Sequence, residues 1–87
     1  MSQKDQSRPS GRQIAAARTL IGMSQSDLAE RAAISIPTLK RMEASEGLAS
    51  GIANNVAAVR AALEAAGVEF IPENGGGAGV RLRAAEK

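Results

Sequence analysis

The sequence contains no cysteine, no histidine, no tryptophan and no tyrosine, and its one aromatic residue is Phe70. The missing Cys and His exclude disulfides, thiol nucleophiles, imidazole acid–base catalysis and zinc sites of the usual Cys/His kind. An enzyme would have to work with carboxylates, Lys, Ser or Thr alone, so the expectation is a protein that is not an enzyme, with no metal and no cofactor. With a single aromatic, the core must be built from Ala, Leu, Ile, Val and Met. That favours short, closely packed helices over a large β-sandwich. No apolar run approaches the ~20 residues needed to span a bilayer, and the polar start, Met1 to Ser10, has no hydrophobic signal segment. The expectation is a soluble, cytoplasmic protein with no membrane partner.

What is present fits one small domain: 87 residues, 44% of them hydrophobic and 23% charged. Eleven basic residues against nine acidic ones give a net charge of +2, too mild to name a polyanionic partner. The excess is uneven. Residues 1–50 carry seven basic and five acidic side chains, and residues 51–87 carry four of each.

Residues 1–9 are rich in Ser, Gln and charge, lack periodic apolar positions and end in Pro9, which predicts a flexible arm. Ser10 stands three residues before Gln13, the spacing of a reciprocal helix cap, and Ile14, Ala17 and Ile21 follow at helical intervals to Gly22. Ser24 and Asp27 repeat the start signal for a short helix from Gln25 to Ala32. Ser35 opens a third, with Pro37 in its first turn, where a missing N–H costs little, and Leu39 and Met42 as its apolar stripe. Val56, Val59 and Leu63 mark a fourth helix, closed by Gly67. Val68 to Ile71 and Gly79 to Arg83 then read as two strands joined through Asn74-Gly75-Gly76-Gly77. The predicted fold is mainly α: four to five short helices within a helix-turn-helix domain over residues 10–66, plus a C-terminal β-hairpin and tail over 67–87. A lone hairpin is marginal in water, so these strands must pack on the helices or pair with another chain.

The informative feature is the pair of short capped helices separated by Ala33-Ile34-Ser35, with Ile34 as the inward apolar residue of the turn. That is a helix-turn-helix pattern. From Ser24 to Glu43 the residues follow SQxxLAxxxxxSxxTLxRxE, which resembles the DNA-binding motif of the Cro/C1-type (XRE family) regulators of bacteria and phages. The resemblance covers about Arg12 to Leu63. It implies double-stranded DNA as partner, the third helix as the reading element, Gln25 on a phosphate, and an ion pair between Arg18 of the first helix and Glu43 at the end of the third.

The chemistry can be stated from the residues. A helix entering the major groove would bring Ile36, Pro37 and Thr38, with Lys40 and Arg41 one turn later, to base edges. Ile36 and Pro37 offer apolar surface suited to a thymine methyl. Arg41 can donate a bidentate pair to guanine. Lys40 suits a phosphate. Gln25 and Ser35, at helix starts, suit phosphate oxygens, with capping as the alternative duty of Ser35. An unpaired inward guanidinium at Arg18 would be costly, and the alternative to the pair that the resemblance implies is two separate surface charges.

Two departures from the family pattern stand out. Position 33, usually a glycine in a left-handed turn, is Ala33, which either costs ~1–2 kcal/mol in that conformation or forces a slightly different turn. The loop after the third helix is nearly bare of basic side chains, which shifts phosphate gripping to backbone amides, Arg12, or Lys4 and Arg8 of the arm. Modest affinity per subunit then argues for a homodimer on an inverted repeat, and the candidate interfaces are the fourth helix with its flanking Ile52, or the hairpin. The alternative for the hairpin is packing of Phe70 and Val80 over Leu20 within one chain. The expected function is a transcriptional regulator, by default a repressor, with contact to RNA polymerase or another regulatory protein left open. The rival is a protein-interaction module, such as an antitoxin or antiactivator, that keeps the helix-turn-helix shape. The Gly-rich stretch at 74–79 lacks the Lys-Ser/Thr pair and following helix of a phosphate loop and reads as a turn.

Overall fold

The computed structural model describes residues 8–73 and 75–83. Four helices, α1 (Gly11–Leu20), α2 (Gln25–Ala32), α3 (Ile36–Glu43) and α4 (Ala53–Ala65), are followed by the strands β1 (Val68–Ile71) and β2 (Gly79–Leu82). The fold is therefore mainly helical with a C-terminal antiparallel hairpin, and it holds four helices among the described residues.

Three of these helices start on a serine. The Ser10 hydroxyl accepts from Gln13 N–H while Gln13 Oε1 accepts from Ser10 N–H at 2.8 Å, the reciprocal cap that their spacing predicts. Ser24 and Ser35 cap α2 and α3 by accepting from the backbone N–H groups of Asp27 and Thr38. Each such cap contributes about 1 kcal/mol. The fourth helix differs: its cap position is Ile52, which makes no side-chain cap bond.

Ile14, Leu28, Leu39, Met42, Val59, Leu63 and Val68 are fully buried, one or two from each element except β2. Small residues Ala17, Ala29 and Ala32 fill the spaces between them and let the helices approach closely. The tightest approach is at Gly11, where a Cβ would lie 2.5 Å from the carbonyl oxygen of Met42 and 2.9 Å from those of Glu43 and Ser45. The start of α1 is thus seated directly on the end of α3.

The hairpin pairs Val68 with Leu82 and Phe70 with Val80, so these four side chains share one face. Val68 and Phe70 are buried and Val80 packs against the core, which gives the strands the cover they need within one chain. Leu20 takes little part in that cover; it remains 46% exposed. Gln13 bridges the two strands at the loop end of the hairpin. Its Nε2 donates to Ile71 O at 3.2 Å and to Gly79 O at 2.9 Å, one carbonyl on each strand.

Arg8 and Pro9 correct the sequence-based boundary of the arm. Pro9 is buried, its carbonyl accepts from Ala49 N–H at 2.9 Å, and Arg8 Nη1 donates to Ala49 O at 2.7 Å. Both residues are bound to the loop between α3 and α4, because backbone hydrogen bonds and a guanidinium hold them there. The rest of the predicted arm, Lys4 included, lies outside the described residues. On the outer face of the hairpin, Arg81 pairs with the directly opposite Glu69 at 3.1 Å.

Candidate nucleic-acid interface

The turn between α2 and α3 comprises residues 33–35. Ala33 occupies the left-handed region at φ 59°, ψ 44°, and is the one non-glycine residue with positive φ among those described. Its N–H donates to Glu30 O and the N–H of Ile34 donates to Ala29 O, so the last carbonyls of α2 are satisfied by a Schellman-type closure. Ile34 follows as the apolar residue packed against the core. The chain accepts the cost of a Cβ in this conformation rather than changing the turn.

A helix of 3.6 residues per turn sorts α3 into two sides. Leu39 and Met42 are fully buried and fix its seat. Opposite them, Ile36, Lys40, Pro37 and Arg41 are exposed and form one continuous arc, with Ile36 40% exposed. Lys40 and Arg41 make no side-chain hydrogen bond or ion pair among the described residues. The arc therefore presents two cations, two apolar groups and no carboxylate.

Ser35 and Thr38 sit at the margin of this arc and are bonded to each other: the Ser35 hydroxyl accepts from Thr38 N–H and donates to Thr38 Oγ1 at 2.8 Å. Capping is the role their geometry displays.

Glu43 is the hub behind the arc. Arg18 Nε donates to its Oε2 at 2.8 Å and Arg18 Nη2 to its Oε1 at 3.0 Å, the two-pronged pairing of a guanidinium with a carboxylate. Arg18 Nη1 also donates to Met23 O at 3.1 Å, so the cation spans α1, the following turn and α3. The hydrogen bond from Arg18 to Glu43, helped by the attraction between their charges and opposed by burial, raises the Arg18 pKa above its ordinary value. Both members of the expected pair are thus in place.

Gln25 joins the same carboxylate, donating from Nε2 to Glu43 Oε1 at 3.0 Å. The sequence assigns Gln25 to a phosphate and gives no sign of a bond to Glu43. Its bond to a residue of α3 depends on where the tertiary packing places Glu43. One amide hydrogen and the carbonyl oxygen of Gln25 remain beside the first turn of α2.

Elsewhere, a cavity of about 310 Å³ lies between the hairpin and the start of α1, lined among others by Pro9, Leu48, Phe70 and Pro72. The Arg60 guanidinium stands 5.1 Å from the centre of the Phe70 ring and its Nε donates to Glu64. No group of carboxylates that could hold a metal ion occurs among the described residues. No helix there is long and apolar enough to cross a membrane. No protein-family model matches the chain, and no curated protein matches it.

Proposed function

We propose that the chain is a sequence-specific DNA-binding transcriptional regulator of the Cro/C1-type, which binds an inverted-repeat operator as a homodimer and represses by occluding a promoter. The observation that carries this reading is the exposed arc of α3. Two unpaired cations and two apolar groups stand on a helix whose opposite side is locked to α1 and α2 by Leu39, Met42 and the Arg18–Glu43–Gln25 bonds.

In the major groove, Arg41 donates to guanine O6 and N7, a contact worth ~1–3 kcal/mol of discrimination against other bases. Ile36 and Pro37 cover a thymine methyl, and Lys40 neutralises a phosphate. Gln25 and the first-turn N–H groups of α2 hold a second phosphate. Glu43 would repel that phosphate were it not already paired with Arg18. Two further cations, Arg12 and Arg31, are both exposed and add to the phosphate attraction.

The test is a mobility shift of the full chain on an operator selected from random duplexes, repeated over a salt series. Arg41→Ala is expected to weaken specific binding about 10- to 100-fold with its circular dichroism unchanged. Lys40→Ala is expected to weaken binding to all sequences alike and to flatten the salt dependence. Equal affinity of wild type and Arg41→Ala for the selected operator would overturn the reading.

A further inference from the structure

We propose that the cavity between the hairpin and the start of α1 is a binding site for a small organic carboxylate, its charged end on Arg8 and its carbon body against Phe70, Leu48 and Pro72. No residue of the exposed α3 arc lines this cavity, so the site is separate from the surface assigned to DNA and does not depend on that assignment.

The observation that points to an anion is a half-buried charge with no counter-charge. Among the described residues three cations are half-buried: Arg8, Arg18 and Arg60. Arg18 pairs with Glu43 and Arg60 with Glu64. Arg8 has no carboxylate partner among the described residues; its Nη1 donates to Ala49 O at 2.7 Å and reaches Gly51 O at 3.5 Å. Carbonyl oxygens satisfy hydrogen bonds but carry only partial charge. The Nε and Nη2 of Arg8 make no bond among the described residues, and that side of a guanidinium is a fork shaped for the two oxygens of a carboxylate. Ser10 lines the same cavity, and its hydroxyl, which accepts from Gln13 N–H, keeps its own hydrogen to donate.

The rest of the lining decides what the anion carries. A volume of about 310 Å³ stands at the small end of the ~300–1,000 Å³ of organic-ligand sites. Phe70, Leu48, Pro9 and Pro72 give it an apolar wall, which an inorganic ion or a nucleic-acid phosphate would leave uncovered. Leu48 is 51% exposed, so a ring or short chain laid on it removes apolar surface from water. The Phe70 ring is already held, with the Arg60 guanidinium 5.1 Å from its centre. Glu73 is the one carboxylate among the described lining residues; it opposes an anion, but it is exposed and Arg8 and Arg60 outnumber it. One charged end and one apolar body, within the space of a small molecule, are the chemistry that this lining complements.

The test titrates the full chain with three probes, 2-naphthoate, its neutral amide 2-naphthamide and inorganic phosphate, and follows backbone amide shifts by NMR. 2-Naphthoate is expected to saturate with a Kd of about 1 mM or tighter, its shifts concentrated at Leu48, Phe70 and Ala78. Naphthamide and phosphate each offer half of the required chemistry and are expected to bind about 10-fold more weakly. Arg8→Gln is expected to weaken naphthoate about 10-fold and to leave naphthamide unchanged. Because Arg8 also holds the loop at Ala49, a second variant is Ala78→Phe: this exposed residue between the strands lines the cavity, and bulk there is expected to abolish naphthoate binding with circular dichroism unchanged. No saturable binding of naphthoate, shifts that map outside the cavity, or naphthamide or phosphate binding as tightly as naphthoate would each overturn the proposal. So would a folded Arg8→Gln or Ala78→Phe that binds naphthoate as wild type does. No DNA enters the measurement, so its failure leaves the operator reading where it stands.

Discussion

Arg18 and Glu43 are joined by two hydrogen bonds, of 2.8 and 3.0 Å, that tie the last turn of α1 to the last residue of α3. The Glu43 side chain is 7% exposed and that of Arg18 20%. Removing the guanidinium leaves a nearly buried carboxylate with Gln25 as its remaining partner. Arg18→Met is therefore expected to lower the unfolding free energy by about 3 kcal/mol, as broken buried ion pairs do. The double variant Arg18→Met/Glu43→Leu, which buries no lone charge, is expected to lose clearly less. Urea denaturation of the two variants measures the difference, and equal losses would contradict this account of the pair.

Ala33 carries its Cβ in the left-handed region. Ala33→Gly removes a strain of ~1–2 kcal/mol and loses part of that gain to the greater freedom of glycine in the unfolded chain. A net stabilisation of about 1 kcal/mol is expected, which for a domain of this size raises Tm by roughly 4–8 °C. A lower Tm on thermal unfolding would show that the turn is not strained.

Gly11 and Gly47 make a matched pair of substitutions. A Cβ at Gly11 would meet three backbone carbonyl oxygens at the end of α3, none of which can swing away, while one at Gly47 meets nothing within 4 Å. Gly11→Ala is expected to cost about 1–3 kcal/mol or more, and Gly47→Ala to lie within about 0.5 kcal/mol of wild type. Chemical denaturation of both variants checks the contrast.

Across the hairpin, Arg81 holds the Glu69 carboxylate below its ordinary pKa of 4.5, first by its hydrogen bonds and then by its charge. The folded-state value is depressed, so the stabilisation is present above the unfolded value and disappears as pH falls through the folded one. Both side chains are well exposed, and the pair contributes little in water. The expected signature is local: an NMR titration of Glu69 with its midpoint below 4.5 that moves upward in Arg81→Ala. No movement would separate the two residues.

Much of the fold is legible in the residues because its signals are local. The three serine caps lie within a turn of the N–H groups they accept from, and the buried positions of α3 and α4 recur at helical spacing. The place of the turn is readable too, but its left-handed conformation is not, since alanine carries no signal for it and only the resemblance points there. What is not legible depends on residues far apart. Gln13 reads as a cap partner, yet it also joins carbonyls 58 and 66 residues away, at Ile71 and Gly79. Nothing in the composition of residues 1–9 marks Arg8 and Pro9 as bound, and their bonds to Ala49 are tertiary contacts about 40 residues along the chain. At the candidate site, periodicity places Ile36, Pro37, Lys40 and Arg41 on one side of α3. The bond between Gln25 and Glu43 follows from the packing of three helices and leaves no mark in spacing.

The central claim is that the exposed arc of α3 reads DNA sequence. Its most direct test is selection of bound duplexes from a random pool by the purified full chain, with Arg41→Ala run in parallel. The account predicts an enriched inverted repeat whose half-sites are centred about 10 base pairs apart, salt-sensitive binding, and loss of preference at a guanine in each half-site for Arg41→Ala. Recovery of no enriched sequence by the folded protein would contradict it.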